Sequence, residues 1–247
     1  MRSVQALAIA ILLTPVAAAA ASAQSMGDGF FFREPAVTWS VRAGYGLASA
    51  GSDIFSFTSR QLTLDKGDFS GVNIGSDLDF RLTSRLTIGL GIWYEGRSTP
   101  SEYRDFVDQD DLPIEQTTKF RRMPLTASLK YYVVPRGRSI GHFAWIPAKI
   151  APYVGAGGGM MRYSFEQDGD FIDQQSMDVF HDTFKSSGWT PEGHAMAGVD
   201  VSLTPRLVLT GEGRYTYAKA KMAQDFVGFD KIDLSGFAIT AGLAIRF

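Results

Sequence analysis

The last eleven residues alternate strictly in character, and this alternation limits what the chain can fold into. Apolar side chains stand at every odd position from Phe237 to Phe247, and small or polar side chains fill the even positions between them. Successive side chains of a β-strand point to opposite faces, so the segment predicts a strand with one continuous apolar face. The same period of two recurs along the rest of the chain.

Seven further segments carry this alternation, and the sequence therefore predicts an all-β fold of eight strands. The fifth segment is rich in glycine, and we place Met161, Tyr163 and Phe165 on its apolar face, opposite Arg162 and Ser164. Each segment is long enough to cross a bilayer when tilted. The seven segments cover 37–47, 72–82, 86–95, 122–133, about 151–165, 194–203 and 207–217.

The amino-terminal residues 1–23 have the layout of a secretory signal peptide. Arg2 supplies a positive charge, the stretch from Val4 to Ala21 is nearly all apolar, and Ala21-Ser22-Ala23 provides small residues for cleavage. An amino-terminal membrane helix is the alternative, and Pro15 argues against it. We expect export, a periplasmic amino-terminal segment over 24–36 and a barrel over 37–247.

Composition excludes several classes of protein. The net charge of −2 indicates no nucleic-acid partner, and the absence of cysteine rules out a disulfide framework. No second apolar run of 18 residues is present, so a bundle of membrane helices is excluded.

A transmembrane barrel and a water-soluble, lipocalin-like barrel both have alternating strands, but their apolar faces point in opposite directions. Two features favour the membrane. The connections Thr83-Ser84 and Thr204-Pro205 are minimal, whereas 48–68, 96–118, 166–187 and 218–232 are long and polar, which predicts short periplasmic turns and long external loops. The aromatic residues also sort into two girdles, as expected at the headgroup layers. The girdles are Trp39, Phe80, Tyr131, Tyr153 and Phe247 at one rim, and Tyr45, Phe69, Tyr94, Tyr163, Phe165, Trp189, Tyr215, Tyr217 and Phe237 at the other.

The opposite face of each strand is polar and carries charges of both signs. Eight strands enclose a lumen that side chains can fill, so these charges are expected to pair and to plug the barrel. The predicted lumenal charges are Arg42, Arg81, Arg85, Arg122, Lys130, Arg162, Arg214 and Arg246, with Asp77, Asp79, Glu95, Glu192, Asp200 and Glu212.

Taken together, these segments resemble the small eight-stranded outer-membrane β-barrels of the OmpA/OmpX/OmpW type. The resemblance covers essentially all of the predicted mature chain, and it implies an up-and-down antiparallel barrel in the bacterial outer membrane. It specifies architecture and hardly any activity. The connection from Pro135 to Lys149 departs from it, because it is far longer than a usual barrel turn, and an amphipathic excursion on the inner rim is one interpretation. The matching motifs are Met123 to Tyr132, Ala151 to Gly159, Gly211 to Tyr215 and Gly236 to Phe247.

Few residues suggest chemistry. The glycines of 155–159 lack the Lys-Ser/Thr of a phosphate loop and are better interpreted as space for bulky neighbours or as a bend in the strand. Some small barrels hydrolyse lipids, which requires a serine, a histidine and an acid in contact. His194 with Glu192 is the one pairing worth testing, since His142 falls in the 135–149 connection and His181 in an acidic loop.

The predicted loops 96–118 and 166–187 are dense in carboxylates, with aromatic residues between them. Three interpretations stay open: divalent-cation binding, an adhesive patch, or solvation alone. We predict a non-enzymatic protein with no catalytic residue, metal or cofactor, serving envelope structure or surface interaction. The expected partners are outer-membrane lipids, lipopolysaccharide and, through the strand that ends at Phe247, the barrel assembly machinery. The alternatives are a narrow OmpW-like conduit for small solutes and a barrel lipid hydrolase.

Overall fold

The computed structural model describes residues 30–108, 110–141, 144–173 and 178–247. The predicted signal peptide and the first residues of the segment 24–36 lie outside the described residues. Among the residues that are described, no helix has the length and the apolar character needed to cross a membrane.

Eight antiparallel strands form a closed barrel, as the sequence predicts. Each strand pairs with its sequence neighbour in the barrel, and the last strand pairs with both the first and the seventh. Closure leaves no open edge, so strand pairing satisfies the backbone N–H and C=O groups of the wall. The barrel strands are β1 (Val37–Ala48), β2 (Gly71–Arg81), β3 (Leu86–Val107), β4 (Pro113–Tyr132), β7 (Ile150–Ile172), β8 (Val179–Ser202), β9 (Leu207–Ala220) and β11 (Gly236–Arg246).

The outer wall of the barrel is apolar. Leu78, Leu90, Leu129 and Leu243 are among many large apolar side chains that point outward and stay exposed. Polar side chains at the intervening positions, such as Arg42, Asp77 and Lys130, are buried inside. The predicted orientation is therefore confirmed for seven of the eight strands, and the wall matches a bilayer rather than water.

The glycine-rich strand β7 has the opposite orientation to the one predicted. Met161, Tyr163 and Phe165 point into the barrel and are almost fully buried, whereas Arg162 points outward and is exposed. Tyr153 also faces inward, so it is not a girdle residue. Glycines at 155, 157 and 159 occupy the inner face, and their missing side chains removed the alternation that would have fixed the register.

One end of the barrel, which we call the short end, carries the tight turns at 82–85 and 203–206. The connection from Pro135 to Lys149 forms a second small hairpin here, with β5 (Gly137–Ile140) paired to β6 (Ala144–Pro147). Trp145 of this hairpin is buried, and its backbone pairs with that of Phe31. The excursion is thus a hairpin that inserts an indole ring beneath the lumen, where Arg246 covers the ring at 5.7 Å.

At the opposite end, the long end, the barrel wall continues well beyond the apolar belt. Most of the predicted loops 96–118 and 166–187 is strand: β3 reaches Val107 before β4 begins at Pro113, and β7 reaches Ile172 before β8 begins at Val179. The prediction of loops was wrong because these extensions carry polar side chains on both faces, so no apolar alternation reveals them.

A helical segment closes the long end from within. The connection 48–68 contains helix α1 (Asp53–Gln61), and a 3₁₀ turn (Lys66–Phe69) follows it. Ile54, Phe55 and Thr58 lie on one face of α1, as helical spacing dictates, and all three are buried. Phe55 packs against Phe69, Phe120 and Phe165 with ring centres 4.7 to 5.9 Å apart. We call this group of rings the aromatic plug; Phe69 belongs to it and not to the outer girdle.

The connection 218–232 contributes to the same end. It contains a 3₁₀ turn (Gln224–Phe226) and leads into the short strand β10 (Ile232–Asp233), which pairs with the end of β9. The ring centres of Phe226 and Phe165 lie 5.5 Å apart, so this connection packs against the aromatic plug.

Candidate functional site

The middle of the lumen is crossed by a buried network of opposite charges. Arg42 of β1 forms ion pairs with Asp77 of β2 and with Glu212 of β9, the latter with Nη1 2.6 Å from Oε2. Arg214 binds the same two carboxylates, at 3.0 Å from Glu212 and 3.7 Å from Asp77. Two guanidinium groups and two carboxylates thus share one layer, and an unpaired charge there would cost several kcal/mol.

Trp93 fills the space between the two arginines of this layer. The guanidinium carbons of Arg42 and Arg214 lie 4.7 and 4.6 Å from the centre of its indole ring. The indole Nε1–H donates to Asp77 Oδ1 at 3.3 Å. A side chain at Gly75 would collide with the ring, which explains a glycine on the lumenal face there.

Further pairs extend the network toward both ends. On the short-end side, Lys130 Nζ is 2.8 Å from Asp79, and the Tyr132 hydroxyl donates to Asp200 at 2.9 Å. On the long-end side, Arg122 pairs with Glu95 and donates to the Leu234 carbonyl oxygen at 2.6 Å. A cavity of about 30 Å³ remains beside Trp93 and Arg214, which is room for a water molecule or two. The described lumenal side chains therefore fill most of the space around Trp93.

Most of the predicted lumenal charges lie where they were expected, and three do not. Arg162 is on the outer wall, Arg85 is exposed in the turn at the short end, and Arg81 lies at the rim, 3.4 Å from Glu34. Trp93 and Arg136 were missed. Arg136 precedes the β5–β6 hairpin, and only that hairpin's return beneath the barrel buries it among Pro35 and Thr38.

His194 has a geometry that the sequence did not reveal. Its Nδ1 lies 3.1 Å from Glu192 Oε1, as the shared face on β8 predicts, and its Nε2 lies 2.9 Å from the Ser128 hydroxyl on β4. Ser128 was missed because it is 66 residues away in the sequence. Serine, histidine and acid are thus arranged as in a hydrolytic triad.

This trio lies inside the barrel. All three residues are buried and face the lumen, whereas the apolar side chains of the wall point outward. The neighbouring backbone of β4, β7 and β8 is engaged in continuous strand pairing, so its N–H groups are not free to bind an oxyanion. The arrangement satisfies three buried polar side chains. It also helps to explain one glycine of β7, because a side chain at Gly157 would meet His194 Nε2 at 2.8 Å.

The other two histidines lie elsewhere. His142 falls outside the described residues. His181 is exposed at the long end, where its Nδ1 lies 2.9 Å from Asp170.

Carboxylates of the long end are partly neutralised by their neighbours. Lys119 Nζ lies 2.9 Å from Glu166, and Lys185 Nζ lies 3.3 Å from the same carboxylate. These hydrogen bonds, chiefly that from Lys119, lower the pKa of Glu166 below its ordinary value of 4.5. A hydrogen bond from the Thr183 hydroxyl lowers the pKa of Asp168. Within the described ranges, no group of three or more His, Asp and Glu side chains is arranged to hold a metal ion. Cation binding stays a prediction.

An aromatic cavity of about 550 Å³ opens at the long end, between α1, the extended hairpins and the connection after β9. Gln116 is a polar residue of its lining and donates to the Asp170 carbonyl oxygen at 2.8 Å. Burial raises the pKa of the Tyr103 hydroxyl above 10.0, so this wall of the cavity is neutral. The aromatic residues between the carboxylates of the acidic segments were visible in the sequence. Nothing in the sequence predicted that α1 would pack beside them to form a cavity. The aromatic lining consists of Phe57, Tyr103, Phe106, Phe171, Phe180, Phe184, Phe226 and Phe229.

The strand order, closure and apolar outer wall decide the architecture. The chain folds as a small transmembrane β-barrel. The resemblance to small outer-membrane barrels expected from the sequence is thereby confirmed at the level of the fold.

No protein-family model and no curated protein matches the sequence. Among solved structures, Neisserial surface protein A is 16% identical with a TM-score of 0.48, and the match covers 89% of this chain and 98% of that one. A major outer membrane protein from Thermus thermophilus is 12% identical with a TM-score of 0.46, covering 86% and 100%. The outer membrane protein OprG from Pseudomonas aeruginosa is 14% identical with a TM-score of 0.44, covering 88% and 99%.

Proposed function

We propose that the protein is a non-enzymatic integral protein of the bacterial outer membrane, with a closed lumen and with its long end outside the cell as an interaction surface. The apolar wall supports the membrane location, since it leaves large aliphatic side chains exposed around the barrel. Outer-membrane barrels have short periplasmic turns, so the turns at 82–85 and 203–206 support the orientation.

The main support for this proposal is that the lumen is closed at three levels. Trp145 fills the short end, Trp93 with Arg42 and Arg214 fills the middle, and the aromatic plug fills the long end. Each level is built from a different part of the chain. A barrel closed in this way functions through the surface of its long end and not by passing solutes through its lumen.

Planar-bilayer recording tests the proposal. Refolded protein should insert into lipid vesicles and resist extraction by alkali, yet show no single-channel conductance. A narrow conduit for small solutes, the alternative function, requires steady and selective conductance. Such conductance, persisting when the β5–β6 hairpin and the plug are intact, would overturn the closed-lumen proposal.

We further propose two kinds of partner. Lipopolysaccharide and other outer-membrane lipids contact the apolar wall, and the assembly machinery recognises the strand β11, which ends next to Phe247. Deleting Phe247 should reduce the amount of assembled protein in the outer membrane, whereas Phe80→Ala, which alters an exposed ring at the same end, should leave it unchanged. Normal assembly of the truncated chain would contradict the second partner.

A further inference from the structure

We infer that the aromatic cavity at the long end is a binding site for a small organic cation with an apolar body. The inference rests on the proposed outward-facing long end and names the ligand class of that surface. The volume of about 550 Å³ lies within the usual range of small-molecule sites, and the lining is largely aromatic, as in such sites.

The rings of the lining are held in place by one another. Phe171 packs edge-to-face on Phe184 with ring centres 4.6 Å apart, and Phe57 packs edge-to-face on Phe229 at 5.2 Å. Tyr103 and Phe106 form a third such pair at 6.3 Å. These pairs come from three different walls of the cavity, so the site is formed before a ligand arrives. Preformed aromatic walls attract cations through the negative faces of the rings.

Charge at the long end selects among ligands of similar size. The segments that build this end contain eighteen Asp and Glu residues against nine Lys and Arg, while the whole chain has a net charge of only −2. An anion is therefore repelled from the entrance, and a cation is attracted to it. The segments counted are 50–70, 97–119, 166–187 and 219–235.

Asp225 places one of these charges on the cavity itself. Its Oδ2 accepts a hydrogen bond from the Lys185 backbone N–H at 3.0 Å, which fixes the carboxylate at the rim. Within the described part of the chain, no Lys or Arg side chain lies within ion-pair distance of the Asp225 carboxylate. The ammonium group of Lys185 is directed to Glu166 instead. A carboxylate beside aromatic rings favours an ammonium group over a neutral or anionic one.

Calorimetric titration of the refolded full chain in non-ionic detergent tests the inference. The probes share a phenylpropyl body: 3-phenylpropyltrimethylammonium, 3-phenylpropan-1-ol and 3-phenylpropanoate, each also titrated into empty micelles. The cation should bind about tenfold more tightly than the alcohol, and the carboxylate should bind most weakly. Equal affinities, tighter binding of the carboxylate, or no binding above the micelle background would overturn the inference.

Matched variants locate the binding. Phe180→Ala and Phe106→Ala remove exposed rings of the cavity and should weaken binding of the cation several-fold. Phe32→Ala removes an exposed ring at the short end and should leave the affinity unchanged. Asp225→Asn should reduce the preference for the cation over the alcohol. Asp182→Asn removes a charge at the same end but outside the lining and should leave that preference nearly intact. If Asp225→Asn and Asp182→Asn reduced the preference equally, only the overall charge of the long end would be acting. That result would overturn the proposed site.

This experiment and the bilayer recording can fail separately. Binding in detergent requires no sealed membrane, and conductance requires no ligand. A conducting barrel that binds the cation would overturn the closed lumen alone, and a silent barrel that does not bind it would overturn this inference alone.

Discussion

The Arg42 guanidinium lies against the Trp93 indole, with its central carbon 4.7 Å from the centre of the ring. Arg214 covers the same ring at 4.6 Å, so the indole and two guanidinium groups together cross the lumen. Removing one of the two arginines would leave two buried carboxylates to share a single cation, so we expect the network to tolerate such a change poorly.

Replacing Arg42 should therefore destabilise the barrel strongly. In Arg42→Met, Asp77 and Glu212 share only Arg214, and the free energy of unfolding should fall by roughly 3 kcal/mol. Urea unfolding of the protein in lipid vesicles measures this. Arg162→Met, which alters an arginine on the outer wall of β7, is the control and should unfold at the same urea concentration or a higher one. Adding Asp77→Leu to Arg42→Met should restore part of the loss, and a single variant as stable as the wild type would contradict the role of the network.

The orientation of β7 can be tested by labelling, because the chain has no cysteine of its own. Met160 is exposed on the outer wall and Met161 is buried inside. A nitroxide spin label can be attached to each cysteine before refolding into lipid vesicles. The label on Met160→Cys should be relaxed strongly by oxygen dissolved in the bilayer, and the label on Met161→Cys only weakly. The two positions are adjacent, so each variant is the control for the other. Stronger relaxation at Met161→Cys would return β7 to the orientation first predicted from the sequence.

The extended wall at the long end should loosen in acid. The folded pKa of Glu166 lies below its ordinary value of 4.5, so the contribution of this carboxylate to stability is complete above pH 4.5 and is lost as the pH falls through the lower, folded value. The protection of the 113–120 and 179–187 amides against hydrogen exchange, taken relative to the intrinsic rate at each pH, should fall over that range. Glu166→Gln should remove most of this pH dependence and Glu102→Gln should not. An unchanged pH profile in Glu166→Gln would contradict the assignment.

The Ser128–His194–Glu192 trio should not hydrolyse lipid, because it faces a filled lumen. Wild-type protein should release no fatty acid from lipopolysaccharide or phospholipid. Ser128→Ala should lower the free energy of unfolding by about 1 to 3 kcal/mol, since it leaves His194 Nε2 buried without its partner. Fatty-acid release that disappears in Ser128→Ala and persists in Thr126→Val, a nearby buried hydroxyl of β4, would establish an enzyme instead.

Sequence reasoning worked where each strand kept apolar and polar residues on separate faces. Leu78 and Leu90 were assigned to the outer wall, and Asp77 and Glu212 to the lumen, and the structure places them there. It failed where the inner face became apolar near the plug, as at Phe69 and Phe165, because an alternation shows that two faces differ and not which of them looks outward.

The candidate site divides in the same way. His194 and Glu192 were paired from their spacing on one strand, whereas Ser128 required the β4–β7–β8 register to be known. The aromatic cavity required more still, since Phe57 of α1 meets Phe229 only because both connections fold over the barrel mouth.

By itself, the sequence determined the number of strands, the apolar belt and the presence of opposite charges within the barrel, because period-two patterning is a local property of the chain. Only the tertiary structure decided that the wall continues past 96 and 166, that α1 and Trp145 close the two ends, and that aromatic residues from separate connections form one cavity. These features depend on contacts between segments far apart in the chain, and such contacts leave no periodic trace in either segment alone.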